Sequence, residues 1–230
     1  MSYYLLLELG SLMIPLMFSF HPRIRFHLEW PRVLPAIVVS MLFFVIWDIW
    51  FTGQGVWGFN EQHLLGWQIF KLPIEEWLFF LCIPYACLFI YHCVKLFLDE
   101  KMRIRDVWLR FISVTLVTYW ITVAVLYGDR MYTLSSSVLA AISLLLAYYN
   151  SKLLSDYLVT YLIVLLPFTL VNGALTGSFT AEPVVWYNDA ENMGIRVLTI
   201  PLEDFSYNFA MLMIPILIAE HWNKRKSKQI

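Results

Sequence analysis

The chain has 230 residues, of which 60% are hydrophobic and 14% are charged, and its formal net charge is −1. An ordinary soluble domain has roughly 45–50% apolar and about 25% charged residues, so this composition excludes a typical soluble globular protein. The nearly neutral charge also excludes nucleic-acid binding through a basic surface. We therefore expect an integral membrane protein with no nucleic-acid partner.

Seven apolar stretches follow one another along the chain, each close to the roughly 20 residues that a helix needs to cross a bilayer. They lie near residues 3–20, 33–51, 73–97, 107–127, 134–149, 153–171 and 201–222. The stretch at 134–149 gives the weakest signal because it is short and rich in serine at its start. The sequence predicts an all-α integral membrane protein with seven transmembrane helices.

The basic residues are distributed unevenly over the two membrane faces that seven alternating spans define. Three of the sixteen Lys and Arg residues fall on one face, namely Lys71, Arg130 and Arg196. The other thirteen fall on the opposite face and include the C-terminal group Lys224, Arg225, Lys226 and Lys228. Because cytoplasmic loops carry the excess of Lys and Arg, we expect a multi-pass protein of the cell membrane with an extracytoplasmic N-terminus and a cytoplasmic C-terminus.

A short pattern occurs twice, at an offset of 128 residues. Asn60, Gly66 and the run Pro73-Ile74-Glu75-Glu76-Trp77 are matched by Asn188, Gly194 and the run Pro201-Leu202-Glu203-Asp204-Phe205. An even number of spans separates matching helices, so the two copies cross the membrane in the same direction. We predict two parallel three-helix repeats joined by a linker helix (3+1+3), with boundaries at 1–100, 101–128 and 129–230.

Acidic residues inside the predicted spans are the main functional signal, because each costs about 2.5–3.5 kcal/mol at the bilayer centre. They crowd toward the extracytoplasmic end of the bundle: Glu8, Asp48, Glu75, Glu76, Glu203 and Asp204. Acids at helix N-termini also complement the helix macrodipole, which is the alternative explanation. Their duplication, with further acids on other helices, favours an acid–base site for an uncharged, apolar substrate.

Aromatic residues surround the same zone and have two interpretations. Interfacial aromatic belts are common in membrane proteins. A ring face that lines a dry cavity also stabilises a cation, by about 2 kcal/mol or more. The candidates for the second role are Trp47, Trp77, Trp186 and Phe205.

The run from Pro73 to Phe80 and its partner from Pro201 to Phe205 resemble the duplicated P-x-E-[ED] motif of the non-flavin carotenoid cyclases. The chain is similar to the fused, single-chain form of these heterodimer-type enzymes over nearly its whole length. The resemblance implies lycopene β-cyclisation, in which a ψ end is protonated, closes through a carbocation and loses a proton. It implies Glu75, Glu76, Glu203 and Asp204 as catalytic acids, lycopene as substrate in contact with membrane lipid, and neither a cofactor nor a metal.

Other polar residues of the same zone are candidates for relay or orienting roles: Glu8, Asp48, Asn60, Asn172 and Asn188. The second motif has Asp204 where the first has Glu76, so the two halves are not equivalent. We therefore hypothesise that one half performs the chemistry and the other supports it.

Several alternatives stay open at this stage. The substrate is a C40 or a C50 carotenoid, cyclised at one end or at both. A proton-coupled 3+1+3 transporter and a non-catalytic membrane partner of a carotenoid enzyme are the other two classes. Association with other enzymes of carotenoid biosynthesis and the oligomeric state are open as well.

Overall fold

The computed structural model describes residues 2–226, which fold mainly into α-helices. In chain order the helices are α1 (Tyr3–Phe18), α2 (Trp30–Gln54), α3 (Ile74–Phe97), α4 (Asp106–Leu126), α5 (Met131–Tyr148), α6 (Ser151–Leu175) and α7 (Leu202–Lys226). Six short strands lie between them: β1 (Trp57–Phe59), β2 (Gln68–Ile69), β3 (Leu72–Pro73), β4 (Val185–Tyr187), β5 (Arg196–Val197) and β6 (Ile200–Pro201). Lys228, at the end of the basic tail, lies outside the described residues.

Helices α2 to α7 are each long and apolar enough to cross a membrane, so the predicted all-α membrane class is confirmed. Helix α5, expected to be the weakest span, meets that standard. The shorter helix is α1, whose 16 residues rise about 24 Å at 1.5 Å per residue. Its N-terminus is nevertheless well defined, because the Ser2 side chain accepts a hydrogen bond from the backbone N–H of Leu5 at 3.2 Å.

Large apolar side chains cover the outside of the bundle. Helix α4 shows this most clearly, because it packs mainly against α5 and leaves the rest of its surface exposed. Its exposed apolar residues include Val107, Phe111, Val114, Ile121 and Val125. Lipid tails, unlike water, cover such side chains without a hydrophobic penalty.

Helices α3 and α7 lie at the centre of the bundle. Helix α1 packs on α3, and α5 packs on α7 in the same way. The second helix of each half packs on the central helix of the other half, so that α2 contacts α7 and α6 contacts α3. Each half therefore supplies part of the core of the other.

The strands β1 and β4 join the two halves at one end of the bundle. They pair antiparallel, with Gly58 opposite Trp186, and these two positions are 128 residues apart. A local two-fold axis consequently passes between them. A Cβ atom at Gly58 would collide with the indole ring of Trp186, which explains a glycine at this crossing. The pairs β2–β3 and β5–β6 form equivalent hairpins in front of α3 and α7.

An ion pair closes the bundle on the side of the α3–α4 connection. Arg103 donates through Nε to Asp156 Oδ1 at 2.8 Å, and the Asp156 side chain is 1% exposed. This hydrogen bond raises the pKa of the guanidinium, which therefore stays charged. The pair holds the connection before α4 against the first turns of α6.

We expect Arg103→Met to lower the thermal unfolding midpoint of the detergent-solubilised protein, because it leaves the buried Asp156 carboxylate without its cation. The double variant Arg103→Met/Asp156→Asn removes that uncompensated charge and recovers most of the lost stability. A double variant less stable than Arg103→Met would show that the pair does not act as a unit.

Candidate active site

A cavity of about 510 Å³ lies between α1, α3, α6 and α7. Carboxyl groups from three helices line it, namely Asp48 of α2, Glu76 of α3 and Asp204 of α7. Its walls are otherwise mostly apolar or aromatic, with Tyr4, Trp57, Phe59, Phe79, Tyr132, Phe168, Tyr187 and Tyr207 contributing rings. The second acid of each repeated motif thus faces one common space.

Glu76 lies beside another acid and has one phenolic donor. The Tyr4 hydroxyl donates to Glu76 Oε2 at 2.6 Å. The carboxyl of Asp48 lies close to that of Glu76, and Asp48 Oδ1 accepts from Trp57 Nε1 and from Thr52 Oγ1. Two carboxyls this close in an apolar site repel each other when both are ionised, which favours protonation of one of them. Glu76 and Asp48 thus form a pair of carboxyls on one side of the cavity.

Asp204 has a different environment, since three donors converge on it. The Tyr132 hydroxyl donates to Oδ1, while Asn172 Nδ2 and the Tyr187 hydroxyl donate to Oδ2 at 2.6 and 3.0 Å. Burial of the Tyr187 phenol raises its pKa well above the usual value, and the neighbouring Asp204 carboxylate raises that pKa further. The phenol therefore stays protonated and remains a hydrogen-bond donor. Donors of this kind stabilise an anionic carboxylate. Three hydrogen bonds therefore fix the position of the Asp204 carboxyl in the cavity.

The first acid of each motif points away from the cavity and holds a loop. Glu75 Oε1 accepts the backbone N–H of Leu65 at 2.6 Å, and Glu203 Oε1 accepts that of Met193 at 2.7 Å. Glu203 also accepts the Thr133 hydroxyl at 2.6 Å. Both side chains are buried and lie outside the cavity lining. These contacts fix the loops in front of α3 and α7.

The match to a known protein family covers the same two halves of the chain. The family model described as "Lycopene cyclase" matches residues 1–94 and 129–222. The chain belongs to the lycopene cyclase family. It is also similar, at 23% identity over 64 residues, to a bifunctional lycopene cyclase/phytoene synthase of Aspergillus oryzae. That alignment covers 28% of this chain and 11% of the relative's length. No solved structure gives a significant match.

Of the relay candidates, two reach the cavity of this lycopene cyclase family member, namely Asp48 and Asn172. Glu8 is buried on α1 near Glu75, and neither of its carboxyl oxygens has a hydrogen-bond partner. Asn60 and Asn188 accept backbone N–H groups at 3.1 Å in equivalent turns. Those two asparagines shape loops rather than the cavity.

The four aromatic candidates all lie outside the cavity lining of this family member. Trp47 packs edge-on against Tyr207 at 5.7 Å, and Phe205 packs against Phe168 at 5.1 Å, so both support rings that do line the cavity. Trp77 donates to the backbone of Ile69, and Trp186 is 44% exposed on β4.

Sequence reasoning missed two of the tyrosines that hold the acids, namely Tyr4 and Tyr132. Tyr4 and Tyr132 are 128 residues apart and contact Glu76 and Asp204, which are also 128 apart. The repeat offset, applied to tyrosines as well as to acids, would have found this pair. Within residues 2–226, the His, Cys, Asp and Glu side chains form no group of three or more that could hold a metal ion.

Proposed function

We propose that the chain is a membrane lycopene β-cyclase, an intramolecular lyase that converts the ψ ends of lycopene into β-ionone rings. One observation carries the proposal: carboxyls from both repeated motifs meet in a single, largely apolar cavity with aromatic walls. An acyclic hydrocarbon end needs such a space, because water would quench a carbocation. Membership of the lycopene cyclase family supports the reaction class.

In the proposed mechanism Glu76 is the acid and Asp204 is the base. The proton shared by Glu76 and Asp48 moves to the terminal double bond of the ψ end, and the resulting cation is attacked by the next double bond, which closes the ring. Asp204 then takes a proton from the ring carbon beside the new cation, and a ring double bond forms. One proton enters and one leaves, so the reaction has no net redox change and needs no cofactor.

Aromatic rings and donors around the cavity support this sequence of steps. Trp57 and Tyr207 present ring surface between the acids, where a desolvated ring stabilises a cation by about 2 kcal/mol or more. Tyr207 lines the same cavity as Asp48, Glu76 and Asp204. The Tyr187 hydroxyl donates to Asp204 Oδ2 at 3.0 Å and is placed to return the proton from Asp204 toward Glu76 after each turnover. Glu75 and Glu203 serve as positioning residues.

We further propose a multi-pass 3+1+3 architecture with repeats at 1–100 and 129–230 and a linker at 101–128. Equivalent contacts at an offset of 128 support it, such as Leu65 to Glu75 and Met193 to Glu203. The matched family segments, 1–94 and 129–222, fall within the same limits. The bias of thirteen basic residues against three supports an extracytoplasmic N-terminus and a cytoplasmic C-terminus.

The test is the pigment profile, by HPLC, of a lycopene-accumulating host that expresses this chain alone. We expect lycopene to be converted into γ-carotene or β-carotene, while the empty-vector host keeps lycopene. Lycopene that persists beside well-expressed protein in the membrane would refute the lycopene assignment. The same host supplied with an acyclic C50 carotenoid would then test the alternative substrate.

A further inference from the structure

The cavity does not end at the acids but continues as an apolar groove along α3. Its lining on α3 runs from Glu76 through Ile83 and Cys87 to Ile90. Fourteen residues of helix rise about 21 Å at 1.5 Å per residue. The groove therefore extends over much of the roughly 30 Å thickness of a bilayer core.

Helices α1 and α6 form the two walls of this groove and α3 forms its floor. Both walls pack on α3 but make few contacts with each other, so the space between them is open toward the outside of the bundle. Residues that line the groove and are also exposed on the outer surface mark this opening: Leu6, Gly10 and Ile14 on α1, and Pro167 and Leu170 on α6. The outer surface there is the one that faces lipid tails.

Beyond the acids, the α1 and α6 walls of the groove offer little hydrogen bonding to a ligand, and Asn208 on α7, whose Nδ2 has no partner among the described residues, is the polar exception opposite them. The Ser11 hydroxyl on the α1 wall donates to the Leu7 carbonyl of its own helix at 2.7 Å. The neighbouring lining is apolar, with Ile14 and Pro15 on α1 and Val164 and Val171 on α6. A polar group buried here would lose its hydrogen bonds to water without replacement. The groove is suited to an unsubstituted hydrocarbon chain.

We infer that the α1–α6 opening is a lateral portal through which one end of a hydrocarbon polyene enters from the bilayer. The reacting end lies at Glu76 and Asp204, the adjoining chain lies along α3, and the far end remains in lipid. This inference rests on the proposed function. Pockets of about 300–1,000 Å³ enclose drug-sized ligands, and a C40 carotenoid is longer than these, so a cavity of about 510 Å³ holds one end at a time.

Gly10 offers a direct way to obstruct the portal. A Cβ atom at Gly10 would have no neighbouring heavy atom within 4 Å, so a side chain can start there without a clash with the backbone or its neighbours. Gly53 is a matched control, because it is an exposed helical glycine on α2 with the same free space and lies outside the cavity lining. Both changes replace a helical glycine by a better helix former, Gly10 in the middle of α1 and Gly53 in the last turn of α2, so neither weakens its helix through propensity.

The experiment compares Gly10→Trp and Leu170→Trp, one on each wall, with Gly53→Trp in the lycopene-accumulating host. We expect both wall variants to lower lycopene conversion per membrane protein by about tenfold or more, because the indole occupies space that the polyene needs. Gly53→Trp should convert lycopene as the wild type does. Leu170→Trp keeps the test valid if Gly10→Trp fails to accumulate.

A binding measurement separates obstruction from damage to the acids. In the Glu76→Gln background we expect co-purified lycopene per protein to fall when Gly10→Trp is added and to stay unchanged when Gly53→Trp is added. If the wild type converts lycopene and the Gly10→Trp and Leu170→Trp variants convert it equally well, the portal is wrong and the proposed function stands. A wild type that converts no lycopene would overturn the proposed function itself.

Discussion

Asp204→Asn and Glu76→Gln should each lower lycopene conversion by about 10²–10⁴-fold, the usual contribution of a general acid or base. The amides keep the size of the side chains but neither release nor accept the proton. Asp204 would lose its role as the acceptor held by Tyr132, Asn172 and Tyr187. The measurement is the initial rate of cyclised carotenoid formation in membranes, normalised to the amount of folded protein.

The matched controls are Glu75→Gln and Glu203→Gln, the neighbouring acids of the same two motifs. Each holds a loop through a backbone N–H, so its loss should reduce thermal stability more than the rate per folded molecule. If Glu203→Gln removes as much activity per folded molecule as Asp204→Asn, the division into catalytic and positioning acids is wrong. Equal residual activities in Glu75→Gln and Glu203→Gln would count against the hypothesis of one chemical and one supporting half, and would agree with the proposed mechanism, in which each half supplies one catalytic acid.

Phe209→Ala should produce the largest loss of stability outside the active site. The Phe209 ring is 2% exposed and contacts Trp120 and Tyr157 at 5.0 Å and Tyr161 at 5.1 Å, measured between ring centroids. In soluble cores Phe→Ala costs about 3–5 kcal/mol. The apolar transfer part of that cost shrinks in lipid, whereas the lost packing contacts remain, so we expect about 2–3 kcal/mol.

The measurement is reversible unfolding of the purified protein in mixed micelles, with tryptophan fluorescence as the signal. The control is Phe111→Ala on α4, where the ring is 63% exposed and already faces the outside. We expect less than about 0.5 kcal/mol for this control. Equal losses of unfolding free energy for Phe209→Ala and Phe111→Ala would contradict the packing of Phe209 of α7 against the rings of α4 and α6.

Hydropathy located all seven helices because each is a long apolar stretch. The observed helices are longer than the predicted spans: 153–171 lies within Ser151–Leu175, and 33–51 lies within Trp30–Gln54. Helices extend beyond the apolar stretch because polar residues are tolerated at the membrane interface. The strands β1 and β4 were not predicted. Three residues are too few to show a strand periodicity, and their pairing joins distant parts of the chain.

For the candidate site, the sequence indicates that the acids gather at one end but not which of them share a space. Glu75 and Glu76 are adjacent, yet consecutive residues on a helix point about 100° apart. Only the packing of α1 and α6 on α3 determines that Glu76 faces the cavity and Glu75 faces a loop. Tyr4 and Tyr132 were missed for a related reason, because aromatic residues near a membrane surface are equally typical of an interfacial belt.

The antiparallel pair of β1 and β4 relates the two halves of the chain as two copies of one unit would be related in a symmetric dimer. Gly58 and Trp186 occupy equivalent positions, and α2 and α6 each pack on the central helix of the opposite half. A half of this chain, alone, would have an open cavity with the carboxyl of its own motif, and only a second copy would close it. In such a symmetric pair the acid and the base would be the same residue in identical surroundings. Joining the halves in one polypeptide lets Glu76 and Asp204 acquire different neighbours, and hence opposite tasks in one reaction.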